Sequence, residues 1–222
     1  MKRRSLLALM AGPAAAVLLA AGASAANPTS PLSSLGQLRP APDPGKIGPE
    51  LVPIPAAPAL GLPASSAQVA KGIDGIKCQR NEKVAFHIHV HLTLFVNGKP
   101  RLVPAGIGIW PPLEQQSSKY GQFVISQNEC LAWLVTRFPD GILHVEAPLR
   151  RVFTLGQFFD MWGQPLGRGV LGPNKGKVTA IVDGRVWTGD PREIPLTERR
   201  QIQLELGTPL VAPQTVKFPG TY

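Results

Sequence analysis

The chain has 222 residues, with 23 basic and 14 acidic side chains and a formal net charge of +9. The charges are scattered, with only short doublets at Arg150-Arg151 and Arg199-Arg200. A basic face with interleaved aromatics, which nucleic acid would require, is therefore not expected.

The first residues, MKRRSLLALMAGPAAAVLLAAGASAAN, have the layout of a secretory signal. Lys2, Arg3 and Arg4 precede an apolar run from Leu6 to Ala20, and Ala23-Ser24-Ala25 offers the small residues that a signal peptidase reads. Cleavage is expected after Ala25, so that 1–25 is the signal and the net charge falls from +9 to +6 with the loss of those three cations. The apolar run is short for a membrane span and is broken by Gly12 and Pro13. A retained anchor is thus the lesser reading, and no stable membrane span is expected after signal removal. Arg3-Arg4-Ser5-Leu6-Leu7 is a weak match to a twin-arginine signal and lacks its usual aromatic residue, so general secretion is the default. The expected destination is periplasmic or extracellular. There the basic charge suits acidic envelope polymers as partners, although a solvated surface explains it equally well.

Residues 26–68 hold ten of the chain's 24 prolines, with Ala, Ser and Gly filling much of the rest. Proline fixes φ and lacks a backbone donor, so this segment reads as a disordered tether. Leu51-Val52-Pro53-Ile54-Pro55 is the exception, apolar enough to lie along a domain edge.

Residues 69–222 have the size of one domain. Its clearest element is FHIHVHLTLFVNGKP, from Phe86 to Pro100. Phe86, Ile88, Val90, Leu92, Leu94 and Val96 alternate with His87, His89, His91 and Thr93, which predicts a strand with one apolar and one histidine face. Asn97-Gly98 predicts a tight hairpin turn, returning through Arg101 to Val103 and a second extended piece at Ile107-Gly108-Ile109. Phe123-Val124-Ile125 and Cys130 to Val135 are ambiguous between strand and short helix. Gly141 to Ala147 reads as a strand, with Leu143, Val145 and Ala147 on one side and Ile142, His144 and Glu146 on the other.

TLGQFFDMW, Thr154 to Trp162, is the principal helix. Thr154 and Gln157 fit a capping box, Leu155, Phe158, Phe159 and Trp162 form one stripe, and Gly163 supplies the stop. KVTAIV, Asp183-Gly184 with Val186-Trp187, and QIQLEL read as further strands and a turn. LTLFVNGKPRLVP and VTAIVDGRVWTGDPREIP faintly echo each other as hairpins. The fold class expected is α+β, dominated by antiparallel β-sheet around one amphipathic helix in a single disulfide-stabilised domain. Cys78 and Cys130 are the only cysteines, and in an exported chain they are expected to pair. Closing 52 residues would stabilise the fold by roughly 4 kcal/mol in the chain-entropy model.

Histidines at i, i+2 and i+4 share one strand face, with neighbouring Cα atoms about 6.6 Å apart. Two such imidazoles can lean together on one ion, and a good site recruits more from a neighbouring strand. His144 is the candidate, with Glu146 on its face. The metal ligands expected are therefore His89, His91 and His144, assisted by His87 or Glu146, for Zn²⁺ or Cu²⁺. The plain alternative is the wet face of a sheet, where histidine serves as an ordinary polar residue. A third reading is a pH-responsive surface, since clustered imidazoles repel once protonated.

HIHVHLTLFVNGKPRLVPAGIGI, Cys130 ahead of Trp133, GILHVEAP and FTLGQFFDMWGQPL together resemble a group of uncharacterised exported bacterial proteins, from about Gly72 to the C-terminus. The resemblance implies export and a common architecture, and carries no established activity. Members of that group place a His-x-His pair followed by Asp just after the tryptophan. The matching positions here read Val135-Thr136-Arg137-Phe138. If the pair binds metal in relatives, this chain has replaced two ligands and gained a cation.

No catalytic residue is assigned. There is no G-x-S-x-G elbow, no H-E-x-x-H helix, and the segment Gly172 to Val178 is too short for a phosphate loop. Binding or sequestration of a metal ion is the economical expectation, and hydrolysis or hydration would need a metal-bound water. The alternative function is a non-catalytic cell-envelope module, structural or interacting, with no metal.

Overall fold

The structure, a computed structural model, describes residues 27–62, 72–80, 84–118, 121–126 and 130–218. The expected signal and the stretch 63–68 lie outside the described residues. Eight strands form the main sheet: β1 (Thr29–Ser30), β2 (Phe86–Val96), β3 (Lys99–Arg101), β4 (Leu134–Val135), β5 (Ile142–Ala147), β6 (Val178–Val182), β7 (Arg185–Trp187) and β8 (Arg200–Leu206). Their order across the sheet is β1-β7-β6-β8-β2-β5-β4, with β3 also on β2. The principal helix, α1, spans Leu155–Trp162.

The alternating stretch forms β2, the centre of this sheet. β5 pairs antiparallel with Phe86 to His91 and β3 with Leu94 to Val96, while β8 runs parallel to Val90 through Val96. The fold is β-dominated with one principal helix, as expected, but that parallel pairing makes the sheet mixed. Alternation fixes which side chains face the core, yet it says nothing about the direction of a strand's partner. Both predicted turns form, with Asn97 and Gly98 at φ 51° and 71° and Asp183 and Gly184 at 50° and 76°. The ambiguous stretch Phe123–Ile125 lies in a strand, Gly121–Ser126, hairpinned to Leu113–Ser118.

The apolar face of the sheet carries Val90, Leu92, Leu94, Leu143, Val145, Ile202 and Leu204, all buried in one cluster with Phe153, Phe158, Phe159 and Trp162. The helix reaches it through the predicted cap. Thr154 Oγ1 accepts from the Gln157 amide, Gln157 Oε1 accepts from the Thr154 amide, and Gly163 ends the helix at φ 73°. Burial of such aromatic side chains contributes several kcal/mol each, which fixes the sheet's orientation. Cys78 and Cys130 form the expected disulfide, with Cα atoms 5.4 Å apart. Among the described residues, no helix is long and apolar enough to cross a membrane.

The proline-rich segment departs from the expected tether. Over 27–62 it lies on the domain as an extended arm. β1 adds to the sheet edge, Arg39 bridges to Val211, Ala59 bridges to Leu102, and Val52 and Leu60 are buried. Proline cannot donate, but the residues between prolines can: the amides of Arg39 and Leu60 donate to the carbonyls of Leu210 and Leu102. Apolar side chains set between the prolines then bury enough surface to hold the chain down.

Arm and C-terminal tail together cover the sheet's second face. Gln201, Gln203 and Glu205 of β8 hold the tail by side chain: the amides of Val216, Gln214 and Val211 donate to their oxygens at 2.7, 2.9 and 2.8 Å. Gln214 in turn donates to the Pro42 carbonyl of the arm. The histidines lie on this covered, polar face.

Candidate metal centre

Strand register builds the cluster. β5 runs antiparallel to β2 so that His89 faces His144 and His87 faces Glu146 across the ladder. Side chains alternate on each strand, so these four residues share one face. The imidazole centroids of His87 and His89 are 4.5 Å apart, those of His89 and His144 4.7 Å, and those of His87 and His144 6.0 Å. One nitrogen from each of His87, His89 and His144 lies within 4.8 Å of the others. Nitrogens on one tetrahedral zinc sit about 3.4 Å apart, so the rings need close by only about an ångström.

Glu146 adjoins the triad. Its Oε1 is 3.6 Å from His144 Nδ1 and 3.7 Å from His87 Nε2, near ligand-to-ligand spacing. Its other oxygen accepts from Arg137 at 2.8 Å, so the cation expected beside the site pairs with this carboxylate. Glu50, which the sequence did not single out, completes the surroundings. It enters from the arm, is buried, and places Oε1 3.0 Å from His144 Nε2. Asp140, on the loop before β5, shares a hydrogen bond with Glu50.

Burial sets the protonation states. Desolvation, then the charges of His144 and His87, lowers the His89 pKa to about 3. Desolvation lowers His144 to about 3 as well, against the favourable charge of Glu146. Both imidazoles are therefore neutral at neutral pH, the form that can coordinate a cation. Burial, followed by repulsion from Glu50, raises the Asp140 pKa, so its carboxyl holds its proton far above the usual range.

His91 does not join the triad. The residue opposite it is Ile142, and its Nε2 lies 3.0 Å from the Asp140 carbonyl, a hydrogen bond that places the proton on Nε2. Its Nδ1 is 3.4 Å from the Thr93 hydroxyl. It borders a separate cavity of about 310 Å³ between arm and tail, shared with Ile47, Leu51 and Lys217. His87, whose side chain is 42% exposed, was expected to be only an accessory and instead forms the open corner of the triad. It borders an outer cavity of about 720 Å³ with Arg150, Thr197 and Glu198.

No protein-family model, curated protein or solved structure matches the chain. The site must be read from its own chemistry.

Proposed function

We propose that this is an exported domain that binds a single transition-metal ion, zinc or copper, through His87, His89 and His144, with Glu146 as a fourth donor. The observation that carries this reading is the convergence of three imidazoles from two strands, two of them buried and neutral. Imidazole and carboxylate suit Zn²⁺ and Cu²⁺ better than hard cations such as Ca²⁺. A disulfide-linked domain following a signal-like N-terminus fits a compartment outside the cytoplasm. Sequestration or carriage of the ion is the economical role, since nothing in the sequence identifies a substrate.

One observation favours a second reading. Arg137 already neutralises Glu146, so the cluster is also readable as a metal-free polar network in an envelope module. Calorimetric titration of tag-free protein with Zn²⁺ and Cu²⁺, beside its elemental content, separates the two. Near-stoichiometric binding, abolished in His89→Ala/His144→Ala, is expected. A wild-type protein that binds neither ion, or a double variant that binds as well, would establish the network instead.

A further inference from the structure

We propose that Glu50 is a positioning residue of the metal centre, so that loading of the metal and docking of the proline-rich arm are one coupled equilibrium. The inference rests on the metal reading above and adds to it the arm as a working part of the site.

Among the described residues of the arm, Glu50 is the one buried polar side chain. Two short strands, Lys46–Ile47 and Pro53–Ile54, pair antiparallel and hold it at their turn. The Gly48 amide donates to the Val52 carbonyl and the Leu51 amide donates to the Gly48 carbonyl, which closes the turn. Leu51 takes the left-handed conformation, φ 60°, uncommon for a branched residue. The strained turn sends Leu51 outward, 58% exposed, while Glu50 and Val52 on either side are buried. Such strain persists where neighbouring contacts over-determine it. Here those contacts are Val52 in the protein interior and Glu50 against His144.

The effect on His144 follows from distance. Neutral imidazole carries one proton, and two carboxylates compete to fix it. Glu50 is 3.0 Å from Nε2, whereas Glu146 is 3.6 Å from Nδ1 and is already engaged by Arg137. With the proton on Nε2, toward the nearer carboxylate, the Nδ1 lone pair is left on the side of Glu146 and His87. That is the carboxylate–histidine–metal arrangement, in which the outer carboxylate fixes ring orientation and raises ligand basicity. A metal held on Nδ1 would draw electron density from the ring and so strengthen the contact of Nε2 with Glu50, 3.0 Å away. By linkage, a docked Glu50 raises metal affinity by the factor with which metal stabilises the docked arm.

The full chain tests this in two ways. Zn²⁺ affinity is measured by calorimetry for wild type, Glu50→Ala and Glu50→Gln, with Co²⁺ absorption spectra as a report on ligand geometry. Glu50→Ala should weaken Zn²⁺ binding about 10- to 100-fold. Glu50→Gln, which keeps an acceptor for Nε2, should recover part of the loss. A merely structural carboxylate would not produce that graded rescue with an altered Co²⁺ spectrum. Independently of any variant, amide hydrogen exchange at Gly48 and Leu51 should slow when Zn²⁺ is added to wild type. Wild-type binding with equal affinity in both variants, or exchange in 46–54 unmoved by Zn²⁺, overturns the coupling while leaving the metal site intact. A wild type that binds no metal overturns the metal reading and this inference with it.

Discussion

The two faces of the central sheet are buried by different means. One is closed by aromatic side chains of α1 and its neighbours, in contacts that are apolar and non-directional. The other is closed by extended chain, the arm and the tail, through hydrogen bonds and carboxylate contacts to Gln201, Gln203, Glu205 and His144. The first face stabilises the fold; the second gathers polar groups that are costly to bury alone. A functional cluster belongs on the face where polar groups must find one another. The same contrast recurs within β2 itself: His89 and His91 are neighbours on one face, yet one meets His144 and the other a backbone carbonyl.

The largest break in this contrast should come from the apolar face. Phe158→Ala is expected to cost about 3–5 kcal/mol in denaturant unfolding while leaving Zn²⁺ affinity within about twofold, because no ligand rests on it. Loss of binding in a folded Phe158→Ala protein would show that the faces are not separable.

Acid should act mainly through the polar face. His89, His144 and His91 have folded pKa values of about 3, 3 and 4 against 6.5 when exposed. The unfolded chain therefore binds more protons than the folded one below about pH 6.5, and their contribution to stability is lost as pH falls from there toward 3. Asp140 acts with the opposite sign. Its raised folded pKa contributes stability in acid that fades as pH climbs through that value. Glu205, whose pKa burial also raises, acts in the same sense as Asp140; three histidines outweigh the two carboxyls on the acid side, so unfolding free energy should peak near neutrality. A monotonic rise in stability from pH 7 down to pH 4 would contradict these protonation states.

The smallest break is His91→Ala. It should cost about 1–3 kcal/mol, the loss of a buried hydrogen-bonding partner, with Zn²⁺ stoichiometry unchanged. Reduced stoichiometry would return His91 to the ligand set.

Much of this was legible because β-structure writes its faces in alternation. Phe86 to Val96, the two turns with positive φ and the capped helix all follow from local residue chemistry. So did the meeting of His144 with the histidine strand, since both carried the same polar face. The exclusion of His91 was not legible, because it depends on Ile142 standing opposite and on the Asp140 carbonyl reaching back. Glu50 was hidden further. It lies 94 positions before His144 in a segment whose proline content reads as disorder, and only tertiary packing brings it to the cluster. The parallel pairing of β8 with β2 was invisible for a similar reason: a strand's pattern records burial and leaves its partner's direction open.

The most direct measurement is anomalous diffraction at the zinc absorption edge from crystals of the full domain grown with Zn²⁺. One strong peak is expected about 2.1 Å from a nitrogen of each of His87, His89 and His144. No peak among those rings, with Arg137 still paired to Glu146 and Glu50 still against His144, would contradict the metal centre.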